Sequence, residues 1–173
     1  MRLQKKVAVI TGGGSGMGQA TSLLFAEEGA EVIIADVNSK NAFLVASIVE
    51  ERGHHARAFE LDVTREVDVA QFVETVVDEF GCIDILANFA GVMDYRPAVE
   101  ISLKQWQKML DIVLSGTFLC CREVGKSMIN SGGGKIVNIG STVSLSGAPD
   151  TAHYTAAKHG VLGLSRSLSS ELK

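Results

Sequence analysis

Three side chains late in the sequence could move a proton between them. Ser141, Tyr154 and Lys158 fall within KIVNIGSTVSLSGAPDTAHYTAAK, residues 135–158, which reads as a buried strand, a small-residue loop and a helix start. If 151–173 is helical, Tyr154 and Lys158 lie one above the other on a single face. A phenol with a pKa of about 10 is a poor base at neutral pH. An ammonium within about 4–6 Å favours the phenolate and would lower that value by roughly 1–3 pH units. Ser141, at the mouth of the strand, can offer a hydroxyl to the same small volume. Together the three could hold a carbonyl or alcohol oxygen and pass a proton to or from it. Tyr-x-x-x-Lys alone is usually a solvated pair, so the chemistry depends on what the rest of the chain sets beside it.

The first element that could do so is Val7–Ile10, a short apolar run bounded by Lys6 and a glycine cluster, as in a strand buried on both faces of a parallel sheet. The cluster, Thr11-Gly12-Gly13-Gly14-Ser15-Gly16-Met17-Gly18, is followed by Met17, Ala20 and Leu24 at helical spacing. The glycines therefore sit in a strand-to-helix turn, where backbone can approach a ligand closely. Amides at the following helix N-terminus would face an anion such as pyrophosphate. The spacing is G-x-x-x-G-x-G, from Gly12, Gly16 and Gly18, and not the commoner G-x-G-x-x-G. A second strand, Glu31–Ala35, ends in Asp36, whose carboxylate could accept from a ribose 2′-hydroxyl and would repel a 2′-phosphate. NAD is favoured over NADP on that ground, although Asp36 could also be a simple turn or capping residue.

The alternation continues. The spacing predicts a helix over 38–53, a third strand over 56–61 ending at Asp62-Val63, a helix over 65–80 and a fourth strand over 83–88. His54 and His55 fall in an exposed turn. Short connections between alternating strands and helices imply right-handed crossovers and an α/β, doubly wound parallel sheet. After an irregular stretch, Ser102 is expected to cap one long helix through about Asn130, with Trp106, Met109, Leu110, Val113, Leu114 and Phe118 as its apolar stripe. A fifth strand, residues 135–139, then leads to Ser141.

Composition sets limits on this reading. With 173 residues, 46% of them apolar and two prolines, the chain is expected to form a single domain, residues 1–173. The net charge of −4 and the absence of a lysine- or arginine-rich face argue against nucleic acid as a partner. Cys82, Cys120 and Cys121 are odd in number and lack metal-ligand spacing, so they read as thiols of a reduced compartment, with no metal site. MRLQKK is basic, but the apolar run after it is too short for a signal segment or a membrane span. The cytoplasm is the expected location, with no membrane contact.

With these residues assembled, the sequence resembles the short-chain dehydrogenase/reductase family over almost its whole length. The matching motifs are Thr11-Gly12-x-x-x-Gly16-x-Gly18, Asp62-Val63, Asn88-x-Ala90-Gly91, Ser141 and Tyr154-x-x-x-Lys158. The resemblance implies a Rossmann-type sheet and nicotinamide-dependent oxidation of a secondary alcohol or reduction of a ketone. It assigns cofactor contacts to Gly12, Ser15, Gly16, Met17, Gly18, Asp36, Asp62, Val63, Asn88, Ala90, Gly91, Tyr154 and Lys158. It also implies that Tyr154 exchanges the proton, Lys158 lowers its pKa and holds the nicotinamide ribose, and Ser141 orients the substrate oxygen. Val143, Ser144, Leu145, Gly147 and His153 are expected to line part of the pocket of a small alcohol or carbonyl compound. A homodimer or homotetramer is expected, with Val161, Leu164, Leu168 and Leu172 giving the last helix a sticky side.

The sequence departs from the family pattern in three places. Val113 stands where an asparagine is usual, and a valine cannot hold the water of the family's proton relay. Phe89 replaces a second asparagine. The chain stops at Glu171-Leu172-Lys173 in what reads as mid-helix, so it is expected to lack the family's last strands, and its fifth strand should be an apolar edge. The alternative function is then a non-catalytic NAD-binding or dimerising fragment.

Overall fold

A strand can be apolar along its whole length only where both of its faces are covered. In the computed structural model, which describes residues 1–172, β1 (Val7–Thr11) is such a strand, buried at every position, and β2 (Glu31–Asp36) is buried except at its ends. With β3 (Ala56–Glu60), β4 (Ile85–Asn88) and β5 (Lys135–Asn138) they form one parallel sheet in the order β3-β2-β1-β4-β5. Alternate side chains of the strands feed two cores. Val9, Ile33 and Leu86 pack with α3 (Glu66–Phe80) and α5 (Gly116–Ser131), through Val69, Phe72, Val76, Cys120 and Val124. Ala8, Ile10, Val32 and Ile34 pack with α1 (Gly16–Glu27) and α2 (Ser39–Glu51), through Ala26, Val45 and Val49.

The order of the strands decides where a ligand can lie. The chain builds outward from β1 through β2 to β3, then returns to the other side of β1 with β4 and β5. The connections leaving β1 and β4 therefore diverge, and a crevice opens above their carboxyl ends. Beneath it the last residues of three strands are in register: Thr11 is paired with Asn88, and Asn88 with Asn138.

Several boundaries differ from those expected. β4 starts at Ile85, and just before it the carboxylate of Asp84 accepts from the Val7 amide at 2.9 Å and the Lys6 ammonium at 2.7 Å. Ser102 does cap a helix, in a reciprocal capping box with Gln105. That helix is not one uniform rod: α4 (Leu103–Leu110) passes into a turn of π-helix, Asp111–Ser115, before α5 begins. The extra residue of the π turn rotates α5 relative to α4, so Phe118 leaves the apolar stripe and lies half exposed under the Arg122 guanidinium, 5.5 Å from its ring centroid. Gly116 ends the π turn where α5 meets the end of β3, and a Cβ there would stand 2.6 Å from Val63 Cγ2.

α6 runs from Ala152 to Glu171, and Lys173 of the expected helix lies outside the described residues. Its apolar side is not free as expected. Val161 packs with Met109, Val113 and Ala157, and Leu168 packs on the main core, which leaves Leu164 and Leu172. β5 is the outer strand of the described sheet, and Val137 on it is half exposed. All three cysteines are free, and burial pushes the Cys120 and Cys121 thiols up to about 12 and about 11. Among the described residues no helix is long and apolar enough to cross a membrane.

Candidate functional site

The glycine turn forms the floor of the crevice because two of its positions accept nothing larger. Gly12 takes φ +65, and a Cβ on it would meet the Ala90 amide nitrogen at 2.7 Å; one on Gly18 would overlap the Gly12 carbonyl. The loop can thus pass close beneath a ligand and turn at once into α1. Ser15, the N-cap of α1, is extended and its hydroxyl makes no capping bond, so the first amides of α1 stay open toward the crevice. Asp36, at the end of β2, accepts from the Gly14 amide at 3.0 Å and from the Asn38 amide at 2.9 Å. A carboxylate has about four acceptor positions, so Asp36 holds the loop and keeps capacity for a ligand hydroxyl.

The crevice itself is a cleft of about 1220 Å³. Gly12, Ser15, Gly16, Met17, Gly18, Asp36, Asp62, Val63, Ala90 and Gly91, all named from the sequence as cofactor contacts, line it. Asp62 sits at its rim with one carboxylate oxygen accepting from the amide and hydroxyl of Thr64, at 3.0 and 2.7 Å. Three residues expected at the cofactor, Asn88, Tyr154 and Lys158, are not on its walls. Asn88 is buried below the cleft, where its Oδ1 accepts from the Thr11 hydroxyl at 3.3 Å and its Nδ2 donates to Asn138 Oδ1 at 2.9 Å. Thr11 Oγ1 in turn accepts from the Ala90 amide at 3.3 Å, so Asn88 acts on the cleft through the backbone it holds.

The outer wall was missed from the sequence. Leu103, Lys104, Gln107, Lys108, Asp111 and Ile112, from α4 and the π turn, close the cleft opposite the glycine turn. A signal was present: Lys104, Lys108 and Asp111 recur at helical spacing on the side away from Met109 and Val113.

Ser141, Tyr154 and Lys158 do not belong to the walls of this cleft; they gather where β5 meets α6. Lys158 is buried, and its Nζ donates to the carbonyl of Ile139 at 2.6 Å, tying α6 to the end of β5. The same ammonium stands 5.8 Å from the centroid of the Tyr154 ring. Burial holds the Lys158 pKa below the usual lysine range. Ser141 opens a short 3-10 turn, Thr142–Ser144, which packs against α6. Its Oγ accepts from the Val143 amide at 3.3 Å, and its O–H proton is left for another partner. Among the described residues the Tyr154 hydroxyl has no hydrogen-bond partner, and no direct bond joins it to Ser141. Val113 fills the contact between α4 and α6 beside Tyr154 with apolar atoms.

Of the residues expected to line a substrate pocket, Leu145 and Gly147 are exposed on the loop before α6, Val143 and Ser144 are turned inward, and His153 is buried. Among the described residues no cluster of side chains has the composition to hold a metal ion.

Comparison with known proteins agrees with this geometry. The family model for short chain dehydrogenase matches residues 6–173. The chain is 43% identical to D-threitol dehydrogenase of Mycolicibacterium smegmatis over 171 residues, which are 98% of this chain and 65% of that protein. It is 39% identical to the (2S)-[(R)-hydroxy(phenyl)methyl]succinyl-CoA dehydrogenase subunit BbsD of Thauera aromatica, over 99% of this chain and 70% of that one. The crystal structure of NAD+-bound xylitol dehydrogenase superposes with a TM-score of 0.96 at 32% identity, over 99% of this chain and 66% of that one. The chain thus spans about two thirds of the length of these relatives. A glycine turn under an open helix N-terminus, a Tyr-Lys pair locked to the neighbouring strand and this agreement along the chain lead to one conclusion: it belongs to the short chain dehydrogenase family of oxidoreductases.

Proposed function

We propose that the protein interconverts a secondary alcohol and a ketone with NAD, through Ser141, Tyr154 and Lys158. The observation that carries the proposal is the placement of Lys158, whose ammonium is anchored by Ile139 and held 5.8 Å from the Tyr154 ring. A fixed positive charge there would stabilise the negative charge that develops on the Tyr154 oxygen during proton exchange, so Tyr154 can take the proton of a substrate hydroxyl or return it to a ketone oxygen. Ser141 accepts from the Val143 amide and is free to donate to the same substrate oxygen. NAD, when bound, supplies the hydride-accepting ring.

The residues present suit that cofactor. Gly12, Gly16 and Gly18 let the backbone approach a diphosphate, the amides after Ser15 and Met17 face it, and Asp36 accepts from a ribose hydroxyl. Asp62, Val63, Ala90 and Gly91 would border the adenine and the ribose beyond. A carboxylate at Asp36 opposes a 2′-phosphate, which supports NAD over NADP. Relatives named for threitol and xylitol support a small hydroxylated substrate. The same proposal includes a cytoplasmic homodimer or homotetramer.

The test is turnover on a panel of secondary alcohols and polyols, followed by NADH absorbance. Wild-type protein should reduce NAD, and Tyr154→Phe should lose at least about 100-fold in kcat, the scale of a general acid–base contribution, while still binding NADH. NADH binding with no turnover by the wild type would instead support the non-catalytic reading.

A further inference from the structure

His153 precedes Tyr154 in the first turn of α6 and is 1% exposed, yet neither of its ring nitrogens has a hydrogen-bond partner among the described residues. Packing does not account for it. An imidazole buried with both polar atoms unpaired forfeits hydrogen bonds it would make in water. What faces it is a carboxylate: Asp94 Oδ2 lies 3.6 Å from His153 Nε2, just beyond hydrogen-bond length. Asp94 belongs to the irregular segment that leaves β4, and its side chain is 42% exposed, so it has room to move. The same oxygen stands 3.6 Å from Arg96 Nε, which is also buried and unpaired. The Arg96 amide donates to the Asp150 carbonyl at 2.7 Å, so the segment is already fastened to the loop that enters α6. Two donors thus converge on one oxygen where two segments meet.

We propose that His153 is a positioning residue for Tyr154: as imidazolium it engages the Asp94 carboxylate and latches the segment after β4 to the turn that carries the phenol. The proposal rests on the reading of Tyr154 as the proton-exchanging group. Its reach extends to the cofactor end of the molecule, because Val92 of the same segment lines the principal cleft. The charged group facing His153 is Asp94, which also faces Arg96; on neighbouring parts of the chain Asp150 lies in the loop before α6 and Lys158 further along α6. Lys158 is engaged by Ile139, and α4 with its π turn presents apolar Met109 and Val113 to α6. Burial, Arg96 and the positive end of α6 oppose a charge on His153, and Asp94 favours it. The latch therefore closes when the imidazole is protonated and opens as pH rises.

The chain has two tyrosines, Tyr95 and Tyr154, which allows a direct reading. In protein labelled with 13C at the tyrosine ζ carbon, the Tyr154 resonance is identified by its loss in Tyr154→Phe. It should move in one step as pH is raised and the His153 proton is lost. The step should vanish in His153→Phe and shift toward acid in Asp94→Asn, where the partner charge is gone. Asp94→Asn changes a half-exposed side chain and keeps the test decisive if His153→Phe does not fold. A resonance that ignores pH, a step that persists in His153→Phe, or a step unmoved in Asp94→Asn would overturn the latch. The readout needs neither coenzyme nor turnover, so failure of the proposed function would show separately.

Discussion

Lys158 answers two opposed demands with one side chain. Burial penalises its charge, yet the proposed chemistry needs that charge beside Tyr154, and the Ile139 carbonyl at 2.6 Å is the group that makes a buried ammonium tolerable. Because burial depresses its pKa in the folded chain, the unfolded chain binds more protons as pH approaches the ordinary lysine range. Folding stability must therefore rise with pH there, the cost of the buried charge being full below the folded pKa and gone above the unfolded one. Chemical denaturation of wild type and Lys158→Met should show it: whatever the fixed offset from the lost Ile139 contact, the variant's relative stability should decline between pH 7 and 10 (about the interval below the free-lysine pKa). A pH-independent difference would mean that Lys158 carries no burial penalty. Tyr154 and Lys158 were legible as a pair because a spacing of four on a helix fixes their common face. His153 was legible only as a residue near the substrate, since its partner lies on a segment with no periodicity to read.

Among the elements, the sheet's carboxyl edge does more than carry loops. Thr11, Asn88, Asn138 and Ser165 form a row of side-chain hydrogen bonds at 3.3, 2.9 and 3.0 Å, running from the glycine turn across β1, β4 and β5 to α6. This row fixes the cofactor end and the Tyr154 helix relative to each other. Asn88→Leu would leave the Asn138 carbonyl oxygen without the Asn88 amide donor, at a cost on the order of 1–3 kcal/mol for each orphaned group. Urea denaturation should register that loss, and NADH affinity should fall with it although Asn88 is not on the cleft wall. Unchanged affinity in a folded variant would sever the row from function. β1, β2 and β4 were legible because burial on both faces leaves a continuous apolar run. The π turn at Asp111–Ser115 was not, since it contains neither Gly nor Pro and its apolar residues fit an ordinary helix equally well. Missing the π turn also misplaced Phe118, and the polar wall of α4 went unread because the apolar stripe on its other side explained the helix without it.

At the scale of the whole molecule, the order β3-β2-β1-β4-β5 sets the glycine turn and the segment after β4 on either side of one crevice. The β5–α6 corner brings Tyr154 and Lys158 together and packs the turn that Ser141 opens against α6. The fold was readable in the sequence because β1, β2 and β4 are marked by apolar runs and the helices between the strands by their periodicity. The walls of the crevice were only half readable, because they are made by elements far apart in sequence. The central claim is that a dinucleotide without a 2′-phosphate lies on the glycine turn, facing Asp36. Trp106, the single tryptophan, sits on α4 among residues that line the cleft, so its emission should pass to bound NADH. Titrations of NADH and NADPH followed by this energy transfer should give at least about tenfold tighter binding of NADH, roughly 1.4 kcal/mol, lost in Gly18→Val and narrowed in Asp36→Ala. Equal affinity for NADPH, or NADH binding that survives Gly18→Val, would contradict it.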